Sequence, residues 1–154
     1  RRAFFRNAEA RISEYVARKV PYCLAMIDLD FFKKVNDNFG HDVGDQVLKV
    51  IALYMRKHFG TGLTARLGGE EFAVLLHGID ADNLYNKLDD FRREIAVSTI
   101  PAGDTQLSVT LSLGVVFDSQ EPFTKQMNEA DNALYMAKEN GRNQVVIFDA
   151  ELDS

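Results

Sequence analysis

The chain has 154 residues, 46% of them hydrophobic and 27% charged, with a formal net charge of −5. That length builds a core without disulfide or metal staples, and the composition is that of an ordinary globular protein expected to form one domain over residues 1–154. The acidic balance argues against a general nucleic-acid binder, which presents a basic face, yet leaves room for a small phosphorylated ligand held by a few Lys or Arg side chains. Cys23 is the single cysteine and lies in an apolar run, which fits a small core residue in a reducing, cytoplasmic setting. No uninterrupted apolar run approaches the ~20 residues of a membrane helix, and no signal peptide opens the chain, so no membrane contact is expected of it. It starts abruptly in a basic, helical segment, and the expectation is a piece of something longer.

Residues 2–19 read as an amphipathic helix, with Phe4, Phe5, Ala8, Ile12, Tyr15 and Val16 recurring near three- and four-residue spacing. Pro21 follows, and the nearly continuous apolar run 22–29 suits a central strand covered on both faces. It ends in Asp28-Leu29-Asp30. An acid at the end of a buried strand does little for stability, and ligands often collect at strand ends in open α/β sheets. Asp30 has a structural use as N-cap of a short helix over 31–38. Asp28 has none and points to function.

Gly40-His41-Asp42-Val43-Gly44-Asp45 is a turn leading into a helix over 43–59, whose apolar face includes Val47, Leu48, Ile51 and Met55. Asp42 as N-cap with Asp45 in the first turn explains both acids structurally. A functional reading stands beside it. A carboxylate accepts two hydrogen bonds from the N1–H and N2–H₂ edge of guanine, an Asn amide donates to O6, and adenine lacks that donor pair.

Arg66-Leu67-Gly68-Gly69-Glu70-Glu71-Phe72 follows, with apolar runs on both sides that read as the strands of a hairpin and the glycine pair as its connection. Glycine permits positive φ and lets a ligand approach the backbone closely. Glu70 and Glu71 beside that gap suit a hard cation, since Mg²⁺ commonly joins carboxylates to substrate phosphates; the plainer reading is a hairpin with exposed acids. A helix is expected over 81–97, a turn at 101–104, and a strand over 107–117 whose alternation leaves one face to solvent. The last helix, 123–139, stops at Asn140-Gly141 and precedes a short strand over 145–148. Lys138 and Arg142 flank that stop. Cations at a helix C-terminus gain roughly 0.3–1 kcal/mol, and the same pair is also suited to clamp phosphate.

Four segments together resemble the GGDEF family, the diguanylate cyclases of bacterial second-messenger signalling. They are Asp28-Leu29-Asp30-Phe31-Phe32-Lys33-Lys34-Val35-Asn36-Asp37, Phe39-Gly40-His41-Asp42-Val43-Gly44-Asp45, Arg66 to Phe72, and Ala137-Lys138-Glu139-Asn140-Gly141-Arg142-Asn143, in the family's order and covering nearly the whole chain. The resemblance implies an α+β fold, a mostly antiparallel five-stranded sheet flanked by helices, similar to nucleotidyl cyclases and polymerase palm domains with a ferredoxin-like core. It implies condensation of two GTP into cyclic di-GMP with release of two pyrophosphates, by Mg²⁺-assisted attack of a 3′-hydroxyl on an α-phosphate, Mn²⁺ being a substitute. By the same resemblance Asp28, the Leu29 carbonyl and Glu70 hold the metal, and Glu70, Glu71 and Lys33 form the catalytic set. Asn36 and Asp45 match the guanine-recognising pair, with His41 nearby and Gly68 and Gly69 at the substrate. The Phe31 and Phe32 amides, Lys33, Lys138 and Arg142 match contacts to the triphosphate.

Each half of the product comes from a GTP on a different copy, so the resemblance implies a transient homodimer, with GTP and cyclic di-GMP as small-molecule partners and no nucleic acid. The alternative is a catalytically silent GTP-binding or protein-interaction module of the same fold. Two departures stand out. The family's Arg-x-x-Asp product-inhibition stretch is here Phe59-Gly60-Thr61-Gly62, and no Asp or Glu occurs between Gln46 and Gly69, so no inhibition through that site is expected. The family's usual Asp-x-Leu-Thr-type turn before the first helix is absent, which fits the expectation that a sensory or dimerising region lies outside this chain.

Overall fold

The computed structural model describes residues 2–149. The order of elements is α1 (Arg2–Arg18), β1 (Tyr22–Leu29), α2 (Phe32–Phe39), α3 (His41–Phe59), β2 (Leu63–Gly68), β3 (Glu71–His77), α4 (Ala81–Val97), β4 (Ile100–Ala102), β5 (Thr105–Leu107), β6 (Leu111–Phe117), α5 (Phe123–Glu139) and β7 (Gln144–Ile147). Five strands form one sheet in the order β2-β3-β1-β6-β7. All neighbours are antiparallel except β6 and β7, which run parallel because α5 crosses over between them. The expected α+β architecture of nucleotidyl cyclases and polymerase palms is therefore present, and it is built around β1.

Strand β1 is central because it is apolar on both faces. Cys23, Ala25, Ile27 and Leu29 pack with α3 and α4, whose Ile51, Phe59, Leu88 and Phe91 fill that side. Tyr22, Leu24 and Met26 face the other way, into a second core with Phe4, Ala8 and Ile12 of α1 and Ala130 of α5. Each fully buried side chain of this size contributes roughly 1.5–3 kcal/mol, so both layers hold the sheet. Cys23 is fully buried, and burial pushes its thiol pKa up to about 12. Among the described residues no helix is long and apolar enough to cross a membrane.

Four expectations need correction. The turn at 101–104 is a small separate hairpin, β4 paired with β5 around Gly103. The following strand begins only at Leu111 and is covered on both faces, not half exposed. Its second cover is α5, which lies so close that a Cβ on Gly114 would press to 2.7 Å from Leu134 Cα; Ala130, Ala133 and Ala137 keep that helix face thin. Helix α3 starts at His41 behind Gly40, so Asp42 sits within its first turn and is not the N-cap, and Asp45 falls in the second turn. Nor does Asp30 cap α2: the cap position is Phe31, in the left-handed region at φ 57°, and no side chain accepts there.

Candidate functional site

The C-terminal end of β1, the start of α2, the β2–β3 turn and the end of α5 meet around a cleft of about 210 Å³. Asp28, Leu29, Phe31, Phe32, Lys33, Glu70, Lys138 and Arg142, all singled out from the sequence, line it together with Asp30. By the alternation of β1, Asp28 points to the α5 side, where Lys138 Nζ donates a hydrogen bond to its Oδ2. Its Oδ1 is buried and has no hydrogen-bond partner. Burial pushes the Asp28 carboxyl above the usual carboxylate range; Lys138 pulls it back, and the charges of Glu70 and Glu71 push it up again.

Antiparallel pairing sets Glu71 directly across from Asp28, and Leu29 N–H donates to the Glu70 carbonyl at 3.2 Å. Like charges facing each other across strands are destabilising unless something positive offsets them. Lys138 supplies part of that offset. The free lone pairs of Asp28 Oδ1, beside a second and third carboxylate, have the chemistry of a hard-cation site with one or two protein carboxylates. Among the described residues no cluster of three or more His, Cys, Asp or Glu is arranged to hold a metal by itself.

The glycine pair makes the turn as expected. Gly68 (φ 149°) and Gly69 (φ 51°) both lie at positive φ, and nothing stands within 4 Å of where a Cβ would be on either. They thus serve backbone conformation and open access, not packing. Arg66 Nε donates to the Gly69 carbonyl at 2.9 Å and fixes the turn.

The remaining predicted residues lie outside the cleft proper. Asn36 Oδ1, buried and without a hydrogen-bond partner, sits over Gly44, the residue before Asp45. Asp45 lines a neighbouring cavity with Lys49, Arg66 and Phe72, and His41 is exposed at the start of α3. Sequence reasoning missed the part played by Asp30. It is buried and accepts from Thr110 Oγ1 and Ser112 Oγ, each at 2.6 Å, and from Asn143 N–H at 3.0 Å. The Asp-x-Asp spacing flagged it, but its partners lie some eighty and more residues away.

A five-stranded antiparallel-rich sheet whose central strand ends in acids, with Lys138 on the crossover helix and Arg142 just past it, has the palm-like fold of nucleotidyl cyclases. More narrowly, the chain belongs to the family described as diguanylate cyclase, GGDEF domain, whose pattern matches residues 1–144. It is 41% identical over 155 aligned positions to the probable diguanylate cyclase DgcT of Escherichia coli, covering 96% of this chain and 34% of that protein. It is 38% identical to the response regulator PleD of Caulobacter vibrioides, over 82% of this chain and 29% of PleD. The chain thus spans about a third of the length of these curated relatives.

Among solved structures, it superposes with a TM-score of 0.88 on the active GGEEF domain of a diguanylate cyclase from Vibrio cholerae. That pair is 29% identical, and the match covers 97% of this chain and 96% of that one. The GGDEF domain of DgcB from Caulobacter crescentus, in complex with c-di-GMP, matches with a TM-score of 0.88 at 32% identity, over 96% of this chain and 89% of that one.

Proposed function

We propose that this chain is the catalytic domain of a diguanylate cyclase, joining two GTP into cyclic di-GMP as a face-to-face pair of copies. One observation carries the reading: a buried carboxylate with an orphan oxygen, Asp28, shares a cleft with Glu70 and with Lys33, Lys138 and Arg142. Opposed acids and cations at one open strand end suit a phosphoryl transfer, which needs positioning and charge neutralisation more than covalent catalysis. The relatives' names support the same activity.

In this mechanism Asp28, Glu70 and the Leu29 carbonyl would hold Mg²⁺, or Mn²⁺ in its place. Bound there, the metal would supply Lewis-acid chemistry, acidifying the ribose 3′-hydroxyl and offsetting charge at the α-phosphoryl group. Glu70, with Glu71 beside it, receives the hydroxyl proton, directly or through water. Lys33, Lys138 and Arg142, with the Phe31 and Phe32 amides, bind the triphosphate and stabilise the departing pyrophosphate. Asn36 and Asp45 read the guanine edge, with His41 alongside, and the bare Gly68-Gly69 turn lets the nucleotide lie against the backbone. An isolated domain binds GTP but turns over only on meeting a second copy.

The test is product analysis after incubating the domain at high concentration with GTP and Mg²⁺, with Glu70→Ala alongside. Cyclic di-GMP from the parent alone supports the reading. If no product forms, the measurement is repeated with a strong dimeriser fused to the N-terminus. A fused domain that binds GTP and still makes nothing refutes the cyclase and leaves the silent module.

A further inference from the structure

The loop that carries Arg142 is gripped by side chains to which the mechanism above gives no part. Gly141, Arg142 and Asn143 run consecutively through positive φ, at 116°, 65° and 49°. That conformation is disfavoured for Arg, and such outliers persist only where the surroundings over-determine them. Two groups do so here. Asn143 N–H donates to Asp30 Oδ2 at 3.0 Å, and Asp30 is itself fixed to β6 through Ser112 and to the residue before it, Thr110. From the opposite side Arg92 of α4 donates from Nη1 to Asn143 Oδ1 at 2.7 Å and to the Asn143 carbonyl at 3.3 Å. Its Nε is anchored on Asp89 Oδ1 at 2.7 Å.

The line Asp89–Arg92–Asn143–Asp30 therefore joins α4 to the end of β1 through the residue next to Arg142. Arg142 itself lies over the exposed ring of Phe31, its Cζ 4.7 Å from the ring centroid, with Lys34 Nζ 4.8 Å from the same centroid. A guanidinium on a free three-carbon stem loses rotamer freedom when it engages phosphate; one already laid on an aromatic face, above a fixed backbone, loses less. We infer that Arg92 and Asp30 are positioning residues for Arg142, holding Asn143 so that the guanidinium rests on Phe31 facing the phosphate cleft. This rests on the cyclase reading. Fold stability alone does not call for the arrangement: α4 is already seated by Leu84, Leu88, Phe91 and Ile95, all nearly fully buried. The contact from Arg92 to Asn143 reaches beyond that packing to a loop whose neighbour lines the site.

The test compares two probes by NMR titration of the folded domain: GTP with a methylene in place of its α,β-bridging oxygen, with Mg²⁺, and guanosine, which has no phosphate. Arg92→Ala is expected to weaken the analogue by about tenfold or more while leaving guanosine unchanged, as misplacement of one charge-assisted contact requires. Asn143→Asp, which keeps an acceptor for Arg92 and the N–H for Asp30, is expected to hold the analogue more tightly than Arg92→Ala does and to bind guanosine like the parent; an analogue affinity as low as that of Arg92→Ala overturns the inference. Equal affinity of Arg92→Ala and parent for the analogue overturns the inference while leaving the cyclase reading intact. Proportional loss of both probes overturns it too, because that marks general loosening. If the parent itself does not bind the analogue, the nucleotide reading falls and the inference with it. Should Arg92→Ala fail to fold, Arg92→Lys decides by the same ratio, since one ammonium cannot serve Asp89 and Asn143 together.

Discussion

Gly44 lets folding and base recognition be pulled apart with a single methyl group. It lies inside α3, where replacing Gly by Ala gains about 1 kcal/mol of helix propensity. The added Cβ, however, would overlap Asn36 Oδ1 outright, with Asn36 Cγ at 3.1 Å and Phe32 Cζ at 3.2 Å. The overlapped atom, Oδ1, ends a rotatable side chain and has no hydrogen-bond partner to lose, so Asn36 swings away. A less favourable rotamer costs about 0.5–1.5 kcal/mol, leaving the net change in folding within about 1 kcal/mol of zero. On the size of this chain that is a melting shift of no more than about 4 °C. The guanine site meanwhile loses the contacts of Asn36, worth about 1–3 kcal/mol, or roughly 5- to 150-fold in affinity. Calorimetric melting and titration of guanosine and of the methylene-bridged GTP analogue measure both sides. A Gly44→Ala domain that melts more than about 8 °C low, or that binds guanosine as tightly as the parent, refutes the assignment of Asn36.

Asp28→Asn is expected to abolish turnover and yet raise the melting temperature at neutral pH. Burial holds the Asp28 carboxyl above its ordinary value, so the folded state favours the protonated form. Its stabilising contribution is full below the unfolded pKa of about 4 and is lost as pH rises through the folded value. Asn removes that loss, while Lys138, a third exposed, can hydrate instead. The gain should shrink as the pH falls towards about 4, and a melting difference equal at both ends of that range refutes the linkage. A third prediction concerns Phe59→Arg with Gly62→Asp, which spells out an Arg-x-x-Asp stretch. Phe59 is 1% exposed and packs edge-on to Phe91 at 4.9 Å, and a Cβ on Gly62 would stand 2.7 Å from the Leu75 carbonyl oxygen. Removing the buried ring costs about 3 kcal/mol or more and the overpacked turn about 1–3 more, so the variant should melt far lower and still not respond to cyclic di-GMP. A stable variant inhibited by added cyclic di-GMP in the turnover assay refutes it.

Local chemistry was legible wherever one stretch of chain decided the outcome. The apolar run of β1, the period of α4 and α5, and the glycine pair between two strands all reach their observed places because propensity and patterning act over a few residues. The cleft was legible for the same reason: Asp28, Glu70, Lys138 and Arg142 each sit at the end of an element whose limits are marked in the sequence. The alternation after residue 107 misled, because the depth of β6 is set by how closely α5 approaches Gly114, a contact between segments sixteen and twenty residues apart.

The two aspartates of Asp28-Leu29-Asp30 divide along that line. The sequence by itself determined that Asp28 ends a strand covered on both sides, where an unneeded charge would be costly; its orphan oxygen follows from that burial. Only the tertiary structure decided that Asp30 is a three-way acceptor and not a helix cap. Its donors Thr110, Ser112 and Asn143 come from segments that meet it solely because β1 pairs with β6 and α5 folds back to β7. A carboxylate takes whatever donors the fold delivers, and which donors arrive is fixed by long-range pairing that no local pattern encodes.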